Sequence, residues 1–234
     1  RRQTSSDLDM LICPTALYRD FLHAPDRVRA FYPADFRDAK AFCARAAARG
    51  YPAPRRAAMA ALLRRQAERW GLAEASRESL ERFAREEALV VVAGQQPGLF
   101  GGPLYTVYKA LTAISLAREA ERATGRPVVP IFWIASDDHD FEEVRRAFVS
   151  DASPEPLALE YPMEAVPAGA SVARVTLGAP ALDLLAAVEG LLPPSQFRAE
   201  TVDRLRDAYA PGRGWGEAFA RFAGPWVTSL GALV

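Results

Sequence analysis

Four consecutive residues, Asp137-Asp138-His139-Asp140, set three carboxylates and an imidazole side by side. An imidazole that titrates near neutrality suits His139 to general acid/base work, while carboxylates orient an amine or hold a cation. In extended backbone Asp138 and Asp140 face one way, Asp137 and His139 the other. Like charges this close raise at least one carboxyl pKa unless a cation, the imidazole or a substrate amine neutralises them. The chain has two histidines, His23 and His139, which excludes a metal site built from several imidazoles. A carboxylate-rich Mg²⁺ site stays open on these residues. So does a structural role in which Asp140, with Glu142 and Glu143, caps a short helix starting near Phe141. His23 lies in the aromatic-rich stretch 18–36 and reads as a packed or surface histidine.

The second constellation is the loop Gly94-Gln-Gln-Pro-Gly-Leu-Phe-Gly-Gly-Pro103. Gly98, Gly101 and Gly102 permit positive φ and a close approach of backbone to a ligand. Gly102 is placed as the N-cap of the following helix and Pro103 as its first residue, where the missing N–H costs nothing. The free N–H groups and the positive end of the helix dipole then favour a phosphate or a carboxylate. The spacing matches neither a Walker A sequence nor a GxGxxG fingerprint. Nucleotide use is therefore left open, and a tight turn that only returns the chain to the sheet is the alternative. Gln95 and Gln96 add side-chain amides that both donate and accept. Tyr105 and Lys109, four apart, share a helix face. Lys109 lies about 9 Å along that helix, and its side chain tilts back toward the N-terminus within reach of a bound anion. A solvated surface lysine is the other reading.

The elements that would carry these residues are set by the pattern around them. Leu89-Val-Val-Val-Ala93 reads as a strand covered on both faces. A helix over 104–123 and a second apolar strand over 128–135 come next, so the spacing predicts a βαβ unit with a parallel pair and a right-handed crossover. Ligands of open α/β sheets bind beyond the carboxyl ends of the strands, and both constellations fall there. Ahead of the unit, 1–87 reads as a helical region packing on the core: helices over 26–48, broken at Pro33, over 55–70, and from Ser76. Behind it, 150–180 reads as a β-rich insertion, including strands at 157–161 and 171–176. Helices are expected over 181–192, 196–209 and 215–223, and a buried strand from Val227 to Val234. The architecture this favours is doubly wound α/β, with 88–234 as the first part of the core.

Composition narrows the context. Twenty-nine basic and 29 acidic residues give a net charge of zero, against the basic excess that nucleic-acid binding demands. Half the residues are hydrophobic, too many for a disordered chain, and no apolar run is long enough to span a membrane. Two cysteines, Cys13 and Cys43, make neither a disulfide framework nor a four-thiolate zinc site. They suit a reducing cytosol and read as small core residues. Lys40 and Lys109 are the only lysines beside many arginines. The chain opens at Arg1 and closes on an apolar run to Val234, as expected of part of a longer one.

The segments Gly94-Gln-Gln-Pro-Gly-Leu-Phe-Gly-Gly-Pro-Leu-Tyr-Thr-Val-Tyr-Lys109 and Pro130-Ile-Phe-Trp-Ile-Ala-Ser-Asp-Asp-His-Asp-Phe-Glu-Glu143 together resemble the cysteine-adding enzymes of bacillithiol biosynthesis, the cysteine ligases. Leu17-Tyr-Arg-Asp-Phe-Leu22 with Phe31-Tyr-Pro33 is similar to that family's opening helices. The resemblance runs through nearly all of residues 10–150 and, more loosely, to the end. It implies a Rossmann-like core related to the nucleotidyl-transferase and class I synthetase group, with connecting insertions and a C-terminal helical coiled coil that dimerises. It implies condensation of cysteine with the amine of glucosaminyl-malate, in the cytoplasm, to form the amide of bacillithiol. On this resemblance Asp138, His139, Asp140 and Lys109 are catalytic candidates. Gln95, Gln96, Gly98, Gly101, Gly102, Tyr105, Trp133 and Asp137 are candidates for binding substrate. Family members usually carry Glu where Asp137 stands. Family chains are longer, so this chain corresponds to roughly their N-terminal half, and the coiled coil with its homodimer contact is expected outside it. A nucleotide-dependent transferase acting on another amine, or a ligand-binding or assembly domain without catalysis, are the other functions these residues allow.

Overall fold

The computed structural model describes residues 15–85, 87–150, 156–166 and 169–234; Cys13 lies outside them. Contacts divide the chain into two compact units. One takes the described residues up to Gly50 together with Glu119–Gly125, the other Tyr51–Arg118 together with Arg126–Val234.

In the first unit, α1 (Ala16–His23) begins where the Thr15 side chain accepts the Tyr18 N–H, and α2 (Ala39–Arg49) where Asp38 accepts that of Ala41. The expected helix over 26–48 is interrupted more widely than at Pro33 alone. A 3₁₀ turn spans Pro25–Val28, and Asp35 then captures the Arg37 N–H at 2.9 Å, a local bond that competes with helix. Phe21 packs on Tyr32 and Phe36, each with centroids at 4.8 Å. Cys43 is buried and free, and burial pushes its thiol pKa up.

The second unit holds both constellations. Helices α3 (Ala53–Trp70) and α4 (Ala73–Ala84) are joined at Gly71, whose left-handed φ of 76° ends α3. Buried Arg56 ties this pair to the lead-in of the first strand, donating to the Phe83 and Ala88 carbonyls at 2.9 Å each. Next come β1 (Leu89–Gln95), α5 (Tyr105–Thr124) and β2 (Val128–Ile134). The strands pair in parallel from Leu89↔Val128 to Gln95↔Ile134. The chain goes on through α6 (Phe141–Val144), an antiparallel ladder of β3 (Arg146–Val149) and β4 (Leu157–Glu160), and α7 (Pro180–Leu191), α8 (Arg198–Ala208) and α9 (Trp215–Ser229).

One face of the parallel pair is covered by α5 and α9, with Ala110, Ile114, Phe219 and Ala223 against Phe132. Ala60, Leu63, Leu80 and Phe83 of α3 and α4 cover Val129 on the other. That layer reaches β2 but not the outer residues of β1: Val90 and Val92 are 44% and 53% exposed. The valine run is thus an edge strand open on one face, not one covered on both. Two further expectations are corrected. Residues 172–174 form a 3₁₀ turn, with one bridge from Thr176 to Gly214 in place of a strand. The helix from Trp215 runs on through Gly224-Pro225 to Ser229, so the strand expected from Val227 is confined to one parallel bridge, Leu233 with Ile131. Gly224 is there for close packing: a Cβ at that position would lie 2.6 Å from Leu72. Among the described residues no helix is long and apolar enough to cross a membrane.

Candidate functional site

Parallel pairing fixes the site's location. Gln95 sits opposite Ile134, so the loops leaving β1 and β2 start at the same edge and their side chains meet. Gln96 Nε2 donates to Asp138 Oδ2 at 3.1 Å and to Glu143 Oε2 at 3.2 Å. Behind it Gln95, 5% exposed, donates through Nε2 to Gln96 Oε1 at 2.9 Å and to the Tyr105 hydroxyl at 3.3 Å. Gln95 Oε1 accepts from Lys109 Nζ at 2.6 Å, and that ammonium lies 5.1 Å from the Tyr105 ring centroid.

These bonds run in one direction. Lysine only donates and a carboxylate only accepts, so the ends dictate which way both amides turn: ammonium, Gln95, Gln96, carboxylate. A chain polarised in this way strengthens each of its bonds. Lys109 thereby spends its ammonium on Gln95 within the protein.

The second loop is folded by its own acids. Asp138 Oδ1 accepts the backbone N–H groups of His139 at 2.7 Å and Asp140 at 3.1 Å. Its carbonyl accepts the Val172 N–H at 2.9 Å and that of Ser136 the Ala173 N–H at 2.6 Å, which ties the loop to the 172–174 turn. The Asp140 N–H, then the Gln96 amide and the His139 N–H, hold the Asp138 carboxyl below the usual carboxylate range. At Asp138, then, donors outweigh the crowding of like charges. Asp140 is the N-cap of α6, its Oδ1 accepting the Glu143 N–H at 3.1 Å. Asp137 and His139 are exposed, and among the described residues the imidazole has no hydrogen-bond partner. Trp133 does not join the group. Its register partner is Gly94, on the sheet face opposite the Gln95 side chain by strand alternation, and it is 58% exposed.

The glycine loop forms a tight turn. A Cβ on Gly98 would lie 2.6 Å from the Gly102 Cα, and Gly101 has φ 95°. Gly102 is also left-handed, at φ 72°. The helix begins later than the sequence suggests, at Tyr105 and not Pro103, because the Pro103 carbonyl first accepts the Thr106 N–H at 2.9 Å. The N–H groups of Leu104 and Tyr105 remain without a partner among the described residues, at the positive end of a 20-residue helix. Buried beside them, Thr106 Oγ1 has no hydrogen-bond partner. Two residues outside both motifs brace this turn: the Tyr209 hydroxyl reaches Gly98 and Gly101, and Trp215 Nε1 donates to the Pro97 carbonyl at 2.6 Å. Their one sequence signal is that large polar-tipped aromatics, when buried, need a partner. Glu143 is legible in the sequence only as a companion of the cap.

The arrangement offers an anion-favouring helix end, a polarised amide pair and a free imidazole at one sheet edge. Among the described residues no group of three or more His, Cys, Asp or Glu side chains is set to hold a metal ion.

Comparison with known proteins bears on what such an edge is used for. The model of the family "Bacillithiol biosynthesis BshC, N-terminal Rossmann-like domain" matches residues 6–231. The chain is 39% identical over 205 residues to a protein of Salinibacter ruber named "Putative cysteine ligase BshC", covering 88% of this chain and 37% of that one. A protein of the same name from Solibacter usitatus is 39% identical over 206 residues, with the same coverage. One from Oceanobacillus iheyensis is 52% identical over 81 residues, 35% of this chain and 15% of that one. The chain thus spans little more than a third of the length of the first two of these relatives.

Proposed function

Since the chain belongs to the bacillithiol-biosynthesis BshC family, within its N-terminal Rossmann-like domain, we propose that it carries the substrate-binding edge of a cysteine ligase that joins cysteine to the amine of glucosaminyl-malate. The observation that supports this reading most directly is the contact of Gln96 with Asp138, which closes two family-like motifs into one polar edge beside the head of α5.

In the proposed reaction the sugar amine nitrogen bonds to the cysteine carboxyl carbon. The group that activates that carboxyl leaves with the electron pair of its bond, and the amine gives up a proton. His139, exposed and unengaged, is the base. Asp138 and Asp140 already hold backbone N–H groups, so their part is to fix the loop and to set negative charge beside the amine. The free N–H groups of Leu104 and Tyr105, with the turn 98–102, seat an anionic group, the malate carboxylate or a phosphate. Lys109 acts through Gln95, orienting the amides. Asp137, exposed on this loop, contacts the aminosugar.

The test is to incubate the intact protein with cysteine and glucosaminyl-malate, with and without ATP, and follow bacillithiol by mass spectrometry. Cysteine-dependent product is expected. Nucleotide consumption with another amine and none with cysteine would transfer the site to a different transferase. Thermal stabilisation by glucosaminyl-malate without product under any condition would leave a binding domain.

A further inference from the structure

Behind the glycine turn stands a wall of aromatic residues from the end of α8 and from α9. Tyr209 and Trp215 are both 0% exposed. The Tyr209 hydroxyl accepts the Gly101 N–H at 3.0 Å and donates to the Gly98 carbonyl at 3.4 Å, bridging the two ends of the turn. Phe222 packs at 6.2 Å from the Tyr209 ring and closes the side of Gly101, where a Cβ would meet its ring at 2.9 Å. Between these glycines Phe100 holds φ 53° and ψ 34°, the left-handed region that residues with a side chain rarely enter. Its ring stands edge-on to Tyr209 at 5.0 Å. Such a conformation persists only where its surroundings over-determine it, and here Tyr209 supplies a ring contact and both hydroxyl bonds.

We propose that Tyr209 is a positioning residue: its hydroxyl clamps the 98–101 turn in this left-handed form and thereby fixes the amide edge at the head of α5. That the edge so fixed seats the substrate's anionic group rests on the ligase reading. Burial drives the Tyr209 pKa upward, so the hydroxyl remains a donor and an acceptor throughout the working pH range. The fully buried Tyr161 serves as a matched control, because its hydroxyl also accepts a backbone N–H, that of Gly178 at 2.7 Å, and among the described residues makes no hydrogen bond to the turn.

The experiment is amide hydrogen exchange by NMR on the full chain, unsubstituted and with Tyr209→Phe or Tyr161→Phe. Loss of the clamp should speed exchange at Gly101 by about 5- to 30-fold, while the Val91 amide of the parallel pair and the Phe132 amide, which donates to the Leu233 carbonyl, keep their protection. Tyr161→Phe should leave Gly101 unchanged. An unaltered Gly101 in Tyr209→Phe overturns the clamp, as does equal acceleration by Tyr161→Phe, which would mean general loosening. In the unsubstituted chain a cross-relaxation signal between the Tyr209 hydroxyl proton and the Gly101 amide is expected. Its absence overturns the clamp even if Tyr209→Phe does not fold. In turnover by the intact protein, Tyr209→Phe should raise KM for glucosaminyl-malate by about 5- to 30-fold with kcat changed less than about twofold. A loosened turn with unchanged KM sinks the positioning role. Absence of cysteine-dependent turnover in the unsubstituted protein sinks the ligase reading instead, and the exchange result still decides the clamp.

Discussion

Gln95 is the middle of the polar chain, and replacing it by leucine tests whether that chain exists. The side chain is 5% exposed and makes two bonds of ordinary length, from Lys109 at 2.6 Å and to Gln96 at 2.9 Å, plus a longer one to Tyr105 at 3.3 Å. At about 0.5–1.5 kcal/mol net each, the two good bonds amount to about 1–3 kcal/mol. Lys109 is exposed and Gln96 partly so, so water satisfies them afterwards and no orphan penalty is added. The extra apolar burial of leucine returns about 1 kcal/mol. Gln95→Leu should therefore cost up to about 2 kcal/mol, and in a chain of this size lower Tm by up to about 8 °C, read by circular dichroism. Gln95→Glu separates direction from mere occupancy. It still accepts from Lys109, but Gln96 would then have carboxylates at both ends of its amide, and its NH₂ group can face only one end, leaving its oxygen against the other. At pH 7 it should be destabilised as well, and recover as acid protonates the introduced carboxylate and makes it a donor. A Gln95→Glu protein as stable as the parent at pH 7 would refute the directional chain.

His139→Asn in the intact protein should lower turnover while leaving the affinity for glucosaminyl-malate, measured by calorimetry, largely intact; unchanged turnover would remove His139 as the base. Gly101→Ala places a Cβ against Phe222 at a φ of 95° and should cost about 1–3 kcal/mol in denaturant unfolding. Asp138 has its folded-state pKa lowered, so its bonds stabilise the loop in full above the usual aspartate value and are lost as pH falls through the lowered one. In an acid titration the Asp138 side-chain carboxyl carbon resonance should reach its midpoint below about pH 3.9; a midpoint at or above that would contradict the hydrogen bonds from the His139 and Asp140 amides to Asp138.

Much of the fold is legible in the sequence because it is local. Valine-rich runs bounding one amphipathic stretch leave little but a parallel βαβ unit, and the strands and helices from Ala53 to Ile134 stand within a few residues of expectation. Errors arise where tertiary contact overrides a local sign. Gly224-Pro225 looks like a helix stop, yet Gly224 is small because Leu72 presses on it, and the helix continues. The valines of β1 look fully buried, but whether a second layer covers a strand depends on how far α3 and α4 extend across the sheet, and periodicity carries nothing of that. Residues 171–176 alternate like a strand, yet the Val172 and Ala173 N–H groups are taken by Asp138 and Ser136, so the segment serves as a strut for the loop.

The site divides in the same way. That the two loops share an edge follows from parallel strands, and the cap at Asp140 from residue type alone. What each polar atom is engaged with does not follow, because a glutamine's two ends are equivalent in sequence and become distinct only through neighbours. Lys109 reads in the sequence as a ligand-seeking cation four residues from Tyr105; its ammonium meets Gln95 first, and that bond propagates through two amides to Asp138. A cation and an anion are thus kept apart at opposite ends of the site by neutral groups that fix the orientation of both, and His139, beside the negative end, is left uncommitted. On the proposed reading, an amine arriving there meets carboxylate charge and an uncommitted imidazole together, while an anionic group is drawn to the head of α5 at the other end. A substrate carrying both an amine and a carboxylate would be bound in one sense only.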